Sequence, residues 1–244
     1  MWQRPIRHAD GDMLEVGAVR VRLTVSHRAR RVGLRLDRTR GEVLAIAPSA
    51  RRLAEAAAFA GKHQAWIAER LADLRPHRPF RPDEALTVFG QTCRLGRMAG
   101  RASLEGESWE RGARLRGADE AAYGRAVIQL LKETAQAWFE DRCAFHCGAL
   151  GVPSPKLTIA DARSRWGSCT QAYRGRPPSI RLSWRLSLAP AEVADYVAAH
   201  ECAHLLEANH GPRFWAHVRA LVGDERPHRA WLRANGQALH AFGP

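Results

Sequence analysis

The chain has 244 residues, enough for one large or two modest domains, and its 45% apolar and 26% charged residues are ordinary for a globular protein. No stretch approaches the roughly 18 uninterrupted apolar residues of a membrane-spanning helix, and residues 1–12 lack the apolar core of a secretory signal, so a cytoplasmic location and no membrane partner are expected. The net charge of +13 invites a nucleic-acid reading. However, Lys62, Lys132 and Lys156 are the only lysines, and the arginines are spread over 28–31, 35–40, 75–81 and 111–116 rather than gathered in one tract. An Arg-rich surface that attracts an anionic substrate or nucleic acid in a general way fits better than a dedicated binding module. Five scattered cysteines, Cys93, Cys143, Cys147, Cys169 and Cys202, make a poor disulfide framework and read as reduced thiols.

In chain order, Val19-Arg-Val-Arg-Leu-Thr-Val25 alternates apolar and polar residues, the period-two signal of a half-buried strand. Val32, Leu34 and Leu36 repeat it, and residues 42–47 give a third strand. Pro48-Ser49 stops the sheet and offers Ser49 as a helix cap. Leu53, Ala56, Phe59, Trp66, Ile67, Leu71 and Leu74 recur at helical spacing, predicting one long helix over 50–74. Three prolines mark 75–82 as a connector, short strands return at 86–89 and 92–95 around Gly90-Gln91, and the polar segment 99–118 carries no periodic signal. The second half is mainly helical: a helix over 121–147, strands at 156–160 and 179–184 flanking a loop with Arg165-Trp-Gly-Ser-Cys169, a helix from Pro190 to about 208, another from Pro212, and a last one over 226–239. The fold class is thus α+β, a β-rich N-terminal region over 1–118 with one long helix, followed by a mainly helical region over 119–244 with a short sheet.

The chemistry concentrates in His200-Glu201-Cys202-Ala203-His204. Residues four apart on a helix stand about 40° apart around the axis and about 6 Å along it, so both imidazoles lean the same way and can meet one tetrahedral ion. Glu201 lies about 100° round from His200, beside an open coordination position, where a carboxylate can take a proton from a metal-bound water and pass it to a leaving group. The plainer reading is a core stripe, because Val193, Val197, His200 and His204 follow 4, 3, 4 spacing. Two histidines with an adjacent glutamate would be costly to bury without partners, which favours a metal centre. A catalytic zinc needs a third protein ligand. Glu207 is too far along a straight helix from His200, whereas His210 follows the breaker Asn209 and can turn back; His217 and His228 are reserves.

Arg163-Ser-Arg-Trp-Gly-Ser-Cys169, Ile180-Arg-Leu-Ser-Trp-Arg-Leu186, Ala189-Pro190, Asp195-Tyr-Val197, His200 to His204 and Asn209-His210 through Arg213-Phe-Trp215 occur in an order that resembles the YgjP-like metallopeptidases, relatives of SprT-type and minimal zincin proteases. Arg28-Ala-Arg-Arg-Val-Gly-Leu-Arg-Leu36 is similar to the family's N-terminal signature. The resemblance implies a zincin-like metallopeptidase domain over 119–244, with His200, His204 and His210 as Zn2+ ligands and Glu201 as the general base. Cys202 departs from the apolar residue more usual there and is expected to pack rather than ligate. The Trp-Gly-Ser-Cys loop is expected to wall the cleft, with Arg165 and Trp166 toward substrate.

Peptide-bond hydrolysis on a protein or peptide substrate is therefore the expected activity. The alternatives are a metal-dependent nucleotide pyrophosphatase, which the arginine content would suit, and a basic nucleic-acid-associated module with a zinc site. Against the first stand the lack of a phosphate-cradling glycine loop and a three-histidine set that suits zinc better than magnesium. Against the second stands the missing fourth ligand of a closed structural site.

Overall fold

A computed structural model describes residues 7–37, 41–72, 78–98, 100–106, 109–162 and 165–243. The chain is mixed α+β and divides into two compact units, Met1–His77 and Arg78–Pro244.

The first unit holds β1 (Met13–Val16), β2 (Val19–Val25), β3 (Gly33–Asp37) and β4 (Glu42–Ala47) in the order β1-β2-β4-β3. β2 and β4 run parallel, and the other neighbours are antiparallel. The alternation read from 19–25 and 42–47 is the burial pattern itself: Val21, Leu23, Val43, Ala45 and Ala47 point into one core with Leu53, Ala56, Ala60 and Ile67. The long helix expected over 50–74 is interrupted. A 3₁₀ turn over Ala50–Arg52 leads into α1 (Leu53–Lys62), and α2 (Gln64–Ala72) follows after His63. Gly61 weakens the helix there, and the His63 ring hydrogen-bonds to the Phe59 carbonyl at 2.8 Å, a local bond that competes with the helical ladder. Ser49 occupies the cap position without a side-chain cap bond.

In the second unit, β5 (Ala85–Val88), β6 (Gln91–Met98), β7 (Arg101–Gly106) and β8 (Trp109–Arg114) form an antiparallel meander. Two of these strands occupy the segment that carried no periodic signal. α3 (Glu120–Leu150) starts at Asp119, whose carboxylate accepts from the Ala122 amide at 2.6 Å, and ends at Gly151 in the left-handed conformation. Leu86, Val88, Leu95 and Leu104 of the meander share one core with Tyr123, Val127, Leu130 and Leu131 of α3. The boundary expected at 118/119 therefore falls inside a single packed body, because the meander can bury its apolar face only against α3.

A second sheet has β9 (Lys156–Ala160), β10 (Gly167–Thr170) and β11 (Ser179–Ser183) in the order β10-β11-β9, which puts β10 at an edge. A buried 3₁₀ turn, Trp184–Leu188, leads to α4 (Ala191–Ala203), followed by α5 (Pro212–Val222) and α6 (Arg226–Ala241). No helix among the described residues is long and apolar enough to cross a membrane.

Candidate metal centre

α4 is buried on most of its circumference, and its two sides have different partners. Away from the cleft, Asp195 accepts from Arg142 Nε at 2.6 Å and meets His146 Nε2 at 2.7 Å. On the same side the Cys202 thiol lies 3.8 Å from that of Cys147. Cys143, Cys147 and Cys202 thus pack as small apolar groups, all free and buried. Toward the cleft stand His200 and His204, half-buried, with exposed His210 beside them.

The helix expected to reach about 208 stops at Ala203, and that early stop shapes the centre. Leu205 and Leu206 donate to the carbonyls of Cys202 and Ala203, three residues back, which tightens the last turn. The orphaned His204 carbonyl accepts from Gln171 Nε2 at 2.8 Å. Freed from the helix, the chain turns through Asn209 and Gly211 and brings His210 back before Pro212 opens α5.

His200, His204 and His210 each present a nitrogen, and the three lie within 4.8 Å of one another. The Nε2 atoms of His200 and His210 face each other at 3.1 Å. A tetrahedral ion bound at about 2.0–2.1 Å by two imidazoles holds their nitrogens roughly 3.3 Å apart, so the donor set fits zinc. Each inner histidine is steered from behind. The Nδ1–H of His204 donates to the Glu207 carbonyl at 2.9 Å, which leaves its Nε2 as a lone pair toward the centre, and Tyr196 Oη lies 3.4 Å from His200 Nδ1. Phe214, fully buried, floors all three rings at centroid distances of 4.4–4.8 Å. Burial, then the positive fields of His204, His210 and Arg229, pushes His200 down to about 3, and His210 is lowered by burial, His204 and Arg229. These rings are therefore neutral at pH 7, which is the form that coordinates a metal.

Glu201 is only 5% exposed, and burial raises its carboxyl to about 7 against the opposing field of Arg165. Its neighbour across the cleft is Gly167 of β10: a Cβ there would stand 2.5 Å from Glu201 Oε1. A glycine is thus required for the carboxylate to occupy its place. The cleft has a volume of about 490 Å³ and is walled by Arg165, Gly167, Ser168 and Cys169 opposite His200, Glu201, His204 and His210.

The stretch read as a loop is in part a strand, and it does wall the cleft. Arg165 is there, but Trp166 is not: its ring stacks on His240 of α6 at 4.7 Å and fills the space beside Gly236. The reason is strand alternation combined with a large apolar ring that is better buried than exposed. The reserves His217 and His228 lie outside the three-histidine group, and the His228 ring stacks on Tyr196. Sequence reasoning missed Gly167, the Gln171 amide and the Tyr196 hydroxyl beside His200, and it considered Glu207 only as a carboxylate, whereas its backbone carbonyl is what meets His204 Nδ1.

The fold and this centre define a class, and comparison with known proteins gives the family. The YgjP-like metallopeptidase domain matches residues 30–235, most of the chain, and the chain belongs to that family. It is a metallopeptidase by membership. Among solved structures, the crystal structure of the metallopeptidase zymogen of Pyrococcus abyssi abylysin is similar at 23% identity, covering 41% of this chain and 93% of that one with a TM-score of 0.33. No curated protein matches.

Proposed function

We propose that the protein is a zinc-dependent peptidase in which His200, His204 and His210 hold the ion and Glu201 is the general base. The observation that carries this reading is the convergence of three imidazoles beside a buried carboxylate in one cleft. Zinc, when bound, supplies Lewis acidity to a water and to the scissile carbonyl. Glu201, held against Gly167 in a water-poor pocket, takes the proton of the attacking water and returns it to the departing amine. Its raised pKa suits both halves of that task.

β10 offers a place for the substrate. Ser183 donates to the Trp166 carbonyl at 2.9 Å, so residues 166, 168 and 170 bond to β11, and the alternation leaves the N–H and C=O groups of Gly167 and Cys169 on the free edge beside the cleft. An extended peptide can pair there and lay its scissile bond across the centre.

Metal analysis of the purified protein should give one zinc per chain. Glu201→Gln should keep that zinc and lose casein hydrolysis. A protein that leaves casein and peptide libraries intact but hydrolyses nucleoside triphosphates through Glu201 would overturn the peptidase reading.

A further inference from the structure

The cleft wall continues beyond the centre, and its charge is one-sided. Arg165 stands two residues before β10 and is exposed at the cleft. Past the other end of β10 the chain forms a tight hairpin tip. Tyr173 and Arg176 exchange backbone hydrogen bonds of 3.2 and 3.0 Å, and Arg174 and Gly175 between them have φ of 46° and 76°. Two consecutive positive φ values make this a two-residue turn of the kind that matches strand twist, so the tip is a built extension of the sheet. Arg174 holds its guanidinium 5.2 Å over the Tyr173 ring, and that ring is 64% exposed.

Many arginines of this protein are paired: Arg22 with Glu42, Arg52 with Glu55, Arg142 with Asp195, Arg226 with Asp224. Arg165, Arg174 and Arg176 form no salt bridge to a carboxylate among the described residues. The acidic residue in the cleft wall is Glu201, which is buried and committed to the centre. An edge strand with open backbone groups therefore lies between exposed cations: Arg165, whose field also reaches the buried Glu201, at one end, and Arg174 and Arg176 at the other.

We propose that this edge binds an acidic, extended polypeptide segment, with acidic side chains meeting Arg165 near the scissile bond and Arg174 and Arg176 farther along. The inference rests on the peptidase reading and adds the substrate class. Arg165 and the Tyr173–Arg176 bridge lie eight residues apart along the hairpin, at most roughly 26 Å at strand rise, so acidic groups spread along an octapeptide paired to this edge reach both ends. The open N–H and C=O groups of Gly167 and Cys169 select a polypeptide over a nucleic acid. A single-stranded nucleic acid could use the arginines and Tyr173 but has no alternating donors and acceptors at strand spacing to satisfy that edge.

The test uses zinc-loaded Glu201→Gln protein, which binds without turnover, and fluorescent octapeptides carrying Asp, Ala or Lys at the same alternating positions. The Asp peptide should bind at least about tenfold tighter than the Ala peptide, and the Lys peptide weakest, with the gap closing at high salt. Arg165→Glu and the pair Arg174→Glu/Arg176→Glu should each cost the Asp peptide about fivefold per charge and improve the Lys peptide. Equal affinity for the three peptides would overturn the inference, as would a thymidine oligonucleotide that outcompetes them all through the same arginines. Wild-type protein that cleaves the peptides without regard to charge would sink this inference alone. Wild-type protein that binds the Asp peptide selectively but cleaves none would sink the peptidase reading and leave the binding preference standing.

Discussion

The two sides of α4 treat polar groups in opposite ways. Away from the cleft, Asp195 is satisfied three times over, by Arg142 Nε at 2.6 Å, Arg142 Nη2 at 3.1 Å and His146 Nε2 at 2.7 Å. Toward the cleft, His200, His204 and Glu201 are desolvated without equivalent partners: His200 is driven down to about 3 and Glu201 up to about 7. One side uses its charges to fix the helix on α3. The other holds imidazoles and a desolvated carboxyl ready, a cost worth bearing only if a cation and a reacting proton use them. One helix thus carries a rear tied to α3 by ion pairs and a front whose polar groups are desolvated.

Glu201→Gln breaks the front most directly. Amide keeps the size and loses the base, so kcat on a peptide substrate should fall about 10³–10⁴-fold at unchanged zinc content. A fall under tenfold would remove Glu201 from the chemistry. Gly167→Ala should come next. Its Cβ would stand 2.5 Å from Glu201 Oε1, so the carboxyl must move, and kcat should drop about 100-fold while zinc content and melting temperature hold. Full activity would mean that Glu201 has room that the present packing denies it.

The contrast between the two sides also explains what the sequence could tell. That His200, Glu201 and His204 share one cleft was legible because they sit within five residues at the end of one helix, where spacing converts directly into geometry. Strands 19–25 and 42–47 were legible because one face is buried and alternation records it. Gly167 was not, because its role exists only against a carboxylate 34 positions away. The break at His63 and the early stop of α4 were hidden for a related reason: each depends on a side chain or carbonyl bonding locally, His63 to Phe59 and His204 to Glu207, where apolar periodicity runs on uninterrupted. The strands in 99–118 escaped because Arg and Gly on their outer face blur a pattern that Ala102 and Leu104 do carry. The placement of Trp166 failed because a motif residue near a site was taken to face it.

Asp195→Asn tests the rear. Burial alone would raise this carboxyl, but the hydrogen bonds from His146 and Arg142 outweigh it and hold the group below its ordinary 3.8. A folded-state value below the unfolded one stabilises at pH above the ordinary value, and that contribution is lost as pH falls through the lowered one. The variant should lose about 2 kcal/mol at pH 7, because the pair is only partly buried and Arg142 can regain water. Denaturant melts of the two proteins should converge as pH drops below 3.8 and stay apart above it. A difference that is constant from acid to neutral pH would mean that the charge on Asp195 contributes nothing.

The smallest effect belongs to Tyr196→Phe, which sharpens the division because Tyr196 lies between the two sides. Its ring is buried against His228, at a centroid distance of 5.7 Å, and Phe can keep that stack. What Phe removes is the hydroxyl 3.4 Å from His200 Nδ1. That contact is long for a hydrogen bond in the protein as described, and coordination at Nε2 would draw the ring toward the ion and strengthen Nδ1–H as a donor. Stability of the metal-free protein should therefore be almost unchanged, while zinc affinity, read by competition with a chromophoric chelator, should fall about tenfold. If affinity holds and the metal-free protein is destabilised instead, Tyr196 belongs with the packing of the rear, and His200 is oriented by its helix and by Phe214 alone.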